Sequence, residues 1–215
     1  MGCYLFVQQS PWDTLNSEAK KGDASAQSAL GFLYDKAQDY SQAAQWWRKA
    51  AAQGNRLAQF GLGNLYLYGQ GGVPQDASQA AQWYLKAAAQ GYDGAQAMMG
   101  TFYDDGVGVP QDYGQAAQWY RKAAAQGNRL AQYYLGLLYV KGQGVSRNYV
   151  AAYALFNLSS TQESAGSDHT ASENRSKTAN LMSKQEIEAG QALSRKMSAP
   201  GQLLKALDEY MSTSK

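Results

Sequence analysis

Ala95-Gln96, Met99-Gly100, Tyr103, Gly106-Val107-Gly108-Val109-Pro110, Asp112, Ala116-Ala117, Trp119-Tyr120, Lys122-Ala123-Ala124 and Gln126-Gly127 all fall within one stretch, Gly91 to Gly127, and the reading of that stretch decides the fold. Sliding it along the chain finds it again. An earlier copy holds Ala58-Gln59, Leu62-Gly63, Tyr66, Gly71-Gly72-Val73-Pro74, Asp76, Ala80, Trp83-Tyr84, Lys86-Ala87-Ala88 and Gln90-Gly91. Before it stand Ala26-Gln27, Leu30-Gly31, Tyr34, Asp39, Ala43, Trp46-Trp47, Lys49-Ala50-Ala51 and Gln53-Gly54. A fourth copy begins Ala131-Gln132, Leu135-Gly136, Tyr139, Gly142, Gly144-Val145 and Asn148, then carries Leu155-Phe156 where the Trp-Tyr pair belongs. Gly22, Gly54, Gly91 and Gly127 are thus 32, 37 and 36 residues apart.

A period of this length with two amphipathic segments per unit predicts a solenoid, because one helical hairpin cannot hide its own apolar face and must stack on its neighbours. The residues quoted resemble the Sel1-like repeat, a relative of the tetratricopeptide repeat. The shared pattern is A-Q-x-x-L-G-x-x-Y, then G-x-G-V, an Asp, and A-x-x-W-Y-x-K-A-A-x-Q-G, and it covers roughly residues 22 to 160. The resemblance implies an all-α fold, an alpha/alpha superhelical solenoid that binds other proteins and has no common active site. The expected organisation is a single domain over 1–215: a capping helix over 10–21, repeats over 22–53, 54–90, 91–126 and 127–160, a linker over 161–168 and capping helices over 169–215.

Composition narrows the function. The 215 residues carry a formal charge of +2, and Lys49, Lys86 and Lys122 recur as a solvated helix face rather than a cluster, which argues against a nucleic-acid footprint. No apolar run approaches the roughly 20 residues that a membrane helix needs. One cysteine, Cys3, excludes an internal disulfide framework, and one Cys with one His cannot build a usual zinc site, so neither metal nor cofactor is expected. Cys3 has two readings. It is an incidental cysteine, or it is the lipidated residue that opens a mature bacterial lipoprotein, in which case the protein is periplasmic and membrane-anchored rather than cytoplasmic.

Along the chain, residues 4 to 9 are apolar and irregular, and Ser10-Pro11 then starts a helix, with Ser as N-cap and Pro at the first helical position. Within each copy, Ala26, Leu30, Leu33 and Tyr34 define one core-facing stripe of the first helix. Gly31, Gly63, Gly100 and Gly136 lie inside these helices at a cost of about 1 kcal/mol each against Ala. Close approach of the paired helix's backbone is the expected reason. Asp39, Asp76, Asp112 and Asn148 should cap the second helices, whose buried stripe is Ala43, Trp47 and Ala51 in the first copy. That copy lacks the Gly-Val loop and is linked by Asp35 to Gln38. Beyond a polar linker, helices are expected from about 169, over 184–198 behind a Ser183/Glu186 capping box, and over 202–211.

Enzymatic constellations are hard to find. His169 is the only histidine and adjoins the polar linker; Ser17-Glu18-Ala19-Lys20 has the S-x-x-K shape of penicillin-interactive enzymes without that class's other two elements. The Gly-rich loops lack a Walker lysine and follow no strand, and Asp104-Asp105 faces solvent by pattern. No catalytic residue is assigned.

Binding has a better handle, since core positions stay alike between copies while ligand-facing ones are free to differ. Opposite the core stripe of the first helices lie Ala24, Ser28, Phe32 and Asp35; Arg56, Phe60, Asn64 and Leu67; Asp93, Ala97, Thr101 and Asp104; and Arg129, Tyr133, Leu137 and Val140. These positions should line a concave groove. Phe32, Phe60, Tyr133 and Leu137 are larger and more apolar than a solvated face requires, and aromatics with arginine are the usual interface anchors. The expected function is a non-enzymatic scaffold gripping another protein: a secreted toxin or effector held by an envelope immunity protein, or a component held by an assembly adaptor. The alternatives are a hydrolase of the β-lactamase type, a role attached to cysteine-rich relatives whose cysteines are absent here, and a cytoplasmic signalling scaffold.

Overall fold

Asp39, Asp76, Asp112 and Asn148 each accept the backbone N–H of the residue three further on, and each opens a helix. Those caps fix the start of every second helix in the repeats. The computed structural model describes residues 10–161 and 170–213; Cys3, the apolar residues 4 to 9, all but the first residue of the 161–168 linker, and His169 lie outside the described residues. Within them the chain is helical throughout, and it divides into two units, Met1–Gln90 and Gly91–Lys215.

The first unit holds α1 (Pro11–Lys21), α2 (Ala24–Lys36), α3 (Tyr40–Ala52), α4 (Arg56–Tyr68) and α5 (Ala77–Ala89). Each packs on the next. Ser10 caps α1 with Pro11 at its first position, and Gly22 ends it in the left-handed region. Ala43, Trp47 and Ala51 form the buried stripe of α3. Leu33, expected in the core, is instead 42% exposed; Leu30 and half-buried Tyr34 face inward without it. The first link is also shorter than expected, since α2 runs on to Lys36. Gln38 then turns the chain at φ 61°, a conformation costing a non-glycine residue roughly 1–2 kcal/mol.

The second unit holds α6 (Asp93–Asp105), α7 (Tyr113–Ala125), α8 (Arg129–Lys141), α9 (Tyr149–Ser160), α10 (Thr170–Ala179), α11 (Lys184–Met197) and α12 (Leu203–Thr213). Helix α9 is apolar nearly all round and correspondingly buried, with Val150 to Phe156 inside throughout. Helices α10 and α11 cover it, α11 starting in the Ser183/Glu186 capping box. Asn157 joins both, donating to Ser194 Oγ at 2.8 Å and accepting from Arg175 at 2.8 Å. Helix α12 returns to α7, where Arg121 pairs with Asp208.

The mid-helix glycines have a different cause from the one expected. A Cβ on Gly31 would lie 2.3 Å from the Trp47 ring, on Gly63 2.5 Å from Tyr84, on Gly100 2.4 Å from Tyr120 and on Gly136 2.8 Å from Phe156. It is the second helix's aromatic ring, not its backbone, that occupies the notch. The glycine of the loop serves closeness of another kind: at Gly71 and Gly144, both at positive φ, a Cβ would meet the carbonyl oxygens of Tyr40 and Tyr113 in the preceding copy, 2.4 and 2.1 Å away. There both the turn and the contact exclude a side chain.

A second recurring device is the buried glutamine of the first helix. Gln27, Gln59 and Gln96 accept from the Nε2 of Gln53, Gln90 and Gln126 at 2.9, 2.8 and 2.8 Å. In the fourth copy Gln132 donates to the Ala124 carbonyl, and its Oε1 has no partner among the described residues.

Candidate protein-binding face

In the first unit the outward face of α2 and α4 is mixed. Phe32 is 54% exposed, with the Lys36 ammonium 5.3 Å from its ring centroid. Asp35 is half-buried, and partial desolvation pushes its carboxyl above the usual range against the pull of Lys36. Arg56 is exposed and Leu67 half-buried, the Leu67 carbonyl accepting from Gln75. Phe60 is half-buried because its ring lies 5.4 Å from that of Tyr84. Asn64 accepts the Tyr84 hydroxyl at 2.7 Å. Ala24 is half-buried. Ser28, expected on this face, is buried, and its carbonyl takes the Trp47 indole N–H at 3.3 Å.

In the second unit, Asp93 accepts from Asn128 at 2.9 Å. Ala97 is buried in the core rather than facing outward. The Tyr120 hydroxyl lies 3.3 Å from Thr101 Oγ1 and 3.4 Å from Asp104 Oδ2. Burial and the nearby Asp105 charge raise the Asp104 carboxyl above its ordinary value, against the opposing pull of the Tyr120 hydroxyl and the Lys141 charge. Of the Asp104-Asp105 pair only Asp105 faces solvent freely. The Arg129 carbonyl accepts from Ser159. Tyr133 is held from two sides, by the Phe156 ring at 5.7 Å and by the Asn174 amide at 2.9 Å, so α10 lies over part of this face. Leu137 and Val140 are half-buried against the core.

Aligned between copies, these contacts give the variation of the face an internal cause. Asn64, Thr101 and Leu137 are equivalent: Asn64 and Thr101 bond to the Tyr84 and Tyr120 hydroxyls, and in the fourth copy, where Phe156 has no hydroxyl, the residue is Leu137, packed against the cluster that contains Phe156. Ring size is matched likewise. The broad Trp47 lies against Gly61, where a Cβ would be 2.6 Å away, whereas the smaller Tyr120 stacks on Tyr134, the equivalent residue, at 5.5 Å. What stays exposed is narrower than the stripe: Phe32 and Arg56 in the first unit are exposed, whereas Phe60 and Leu67 there and Arg129 in the second are half-buried.

Two features escaped the sequence reading. Leu57 and Leu130 are 51% and 62% exposed beside Arg56 and Arg129; the duplicated Asn-Arg-Leu-Ala-Gln at 55–59 and 128–132 was the available signal. And the recurring lysines are not simply solvated. Lys49, Lys86 and Lys122 sit 4.4, 4.0 and 4.1 Å from the ring centroids of Trp46, Trp83 and Trp119. Among the described residues no group of His, Cys, Asp and Glu could hold a metal ion, and no helix is long and apolar enough to cross a membrane.

Comparison with known proteins agrees with this architecture. The Sel1 repeat model matches residues 24–55, 56–92, 94–128 and 129–164. A Sel1 repeat protein from Oxalobacter formigenes is 31% identical, with a TM-score of 0.71 over 84% of this chain and 72% of its own. The protective antigen c5321 of uropathogenic Escherichia coli, which displays the same fold, is 30% identical with a TM-score of 0.59; the match spans 92% of this chain but only half of that one. No curated protein matches.

Proposed function

Since the chain belongs to the Sel1 repeat family, we propose that it works without chemistry of its own, as a scaffold that holds another protein on the outward face of its first helices. The observation that supports this most directly is Phe32, an aromatic ring more than half exposed on a helix whose inward face is already filled. Burying such a ring in a partner's pocket supplies the kind of desolvated anchor that dominates interface energetics. The partner's class is a secreted toxin or effector for an immunity protein, or an envelope component for an adaptor. An envelope location rests on Cys3 being lipidated.

A photo-crosslinking amino acid at position 32, compared with one at Gln45 on the exposed side of α3, tests the face. Adducts from position 32 alone are expected, and Phe32→Ala should lose the partner while melting like the wild type. Equal adducts from position 45 would overturn the assignment. The encoded sequence upstream of Cys3 tests the location: an apolar segment ending in a small residue there marks a lipoprotein.

A further inference from the structure

The helix ends of the first unit alternate between two edges, because α1 to α5 run back and forth through short turns. Hydrogen bonds tie one edge together: Gln53 Nε2 donates to the Gly22 carbonyl at 3.0 Å, and Gln90 Nε2 to Gln59 at 2.8 Å. On this edge stand Lys20, Lys21, Arg48, Lys49, Arg56 and Lys86, with only Glu18 and Asp23 to set against them. On the other stand Asp13, Asp35, Asp39 and Asp76 with Lys36. The module is therefore charge-polar, about +4 at one edge and −3 at the other, with Asp39 and Lys49, and Asp76 and Lys86, roughly 15 Å apart along their helices. That is nearly twice the Debye length of about 8 Å at physiological salt, so the edges do not cancel.

Helix dipoles explain part of this, since cations are favoured in a last turn, where Lys20, Lys21, Lys49 and Lys86 lie. They do not explain Arg56, which sits at the first position of α4, where a cation is disfavoured. All six cations are exposed, and none is ion-paired among the described residues. Lys49 and Lys86 are moreover held over half-buried tryptophan rings, so less side-chain freedom is lost when they engage a partner. The same lysines cover rings that a nucleic acid would need for stacking.

We infer that this edge of the first unit docks an acidic segment of a partner protein, with Leu57, at the same edge, taking an apolar side chain from it. The inference shares Arg56 with the first-helix face proposed above but does not use Phe32, so Phe32→Ala should leave binding of the acidic segment intact and either reading can fail without the other.

The test is fluorescence anisotropy on the full chain with a fluorescein-labelled peptide of alternating Glu and Ala, beside its Lys-Ala counterpart, an oligothymidylate and phosphatidylglycerol vesicles. Binding of the acidic peptide is expected to weaken steeply as salt rises from about 50 to 200 mM. Arg56→Gln combined with Lys49→Gln and Lys86→Gln should reduce it by about tenfold or more, and Arg56→Gln alone, which relieves an unfavourable helix-end charge, should also reduce it at full stability. Lys36→Gln with Lys141→Gln serves as the control. No binding of the acidic peptide, an equal loss in the control, or tighter binding of oligothymidylate or vesicles would each overturn the assignment.

Discussion

Tyr84 reaches past Gly63 to donate its hydroxyl to Asn64 Oδ1 at 2.7 Å, so a residue on the outward face of one helix is bonded to the core aromatic of its hairpin partner. Asn64→Leu should cost about 1–3 kcal/mol by leaving that hydroxyl without its acceptor. Adding Tyr84→Phe gives the residue combination of the fourth copy, Leu137 with Phe156, and should recover much of the loss. Urea denaturation of the two single variants and the double variant measures the coupling, and strictly additive losses would contradict it.

Gly100→Ala tests the notch. Helix propensity alone favours the substitution by about 1 kcal/mol, yet the new methyl meets a buried Tyr120 ring, and overpacking typically costs about 1–3 kcal/mol. A lower melting temperature than wild type is expected. A higher one would show that the ring moves aside.

Phe32→Ala and Phe60→Ala should separate. The exposed Phe32 should cost roughly 0.5 kcal/mol or less on truncation. Phe60 packs on Tyr84 and should cost more, about 1 kcal/mol or above, including the ring-pair contribution. Thermal melts of both variants decide this before any binding is measured.

Asp104 gives a pH signature. Its carboxyl is raised by burial in the fold, so the folded state binds this proton more readily than the unfolded chain does. Its contribution is therefore fully present below the unfolded value of 3.8 and is lost as pH rises through the raised folded value. Asp104→Asn keeps an acceptor for Tyr120 without the charge. It should be more stable than wild type at neutral pH, with the difference closing as pH falls into the carboxylate range, as read from denaturation at a series of pH values.

Periodicity made the hairpins legible, and cap chemistry placed their ends: Asp39, Asp76, Asp112 and Asn148 are each both the sequence signal and the observed hydrogen-bond acceptor. The Gly31 family was legible as a constraint but not as its cause, because a strip of sequence shows that space is short without showing which atom fills it. The face was less legible still. Comparing copies identifies positions that vary, but Asn64, Thr101 and Leu137 vary in step with Tyr84, Tyr120 and Phe156, and only three-dimensional pairing separates such internal compensation from freedom to meet a partner. Ser28 and Ala97 look outward on a helical wheel, yet both are buried, Ser28 where its carbonyl takes the Trp47 indole N–H and Ala97 within the core cluster of the second unit.

The ring-in-notch contacts also bear on how the chain reaches its fold. Gly31 with Trp47, Gly63 with Tyr84, Gly100 with Tyr120 and Gly136 with Phe156 are each closed across 16 to 21 residues. Contacts of such short sequence separation carry a small loop-closure cost and place the chain among rapid folders. A ribosome that has released one copy has already released everything that copy needs to clasp its ring, so each hairpin can lock while the next is still being synthesised.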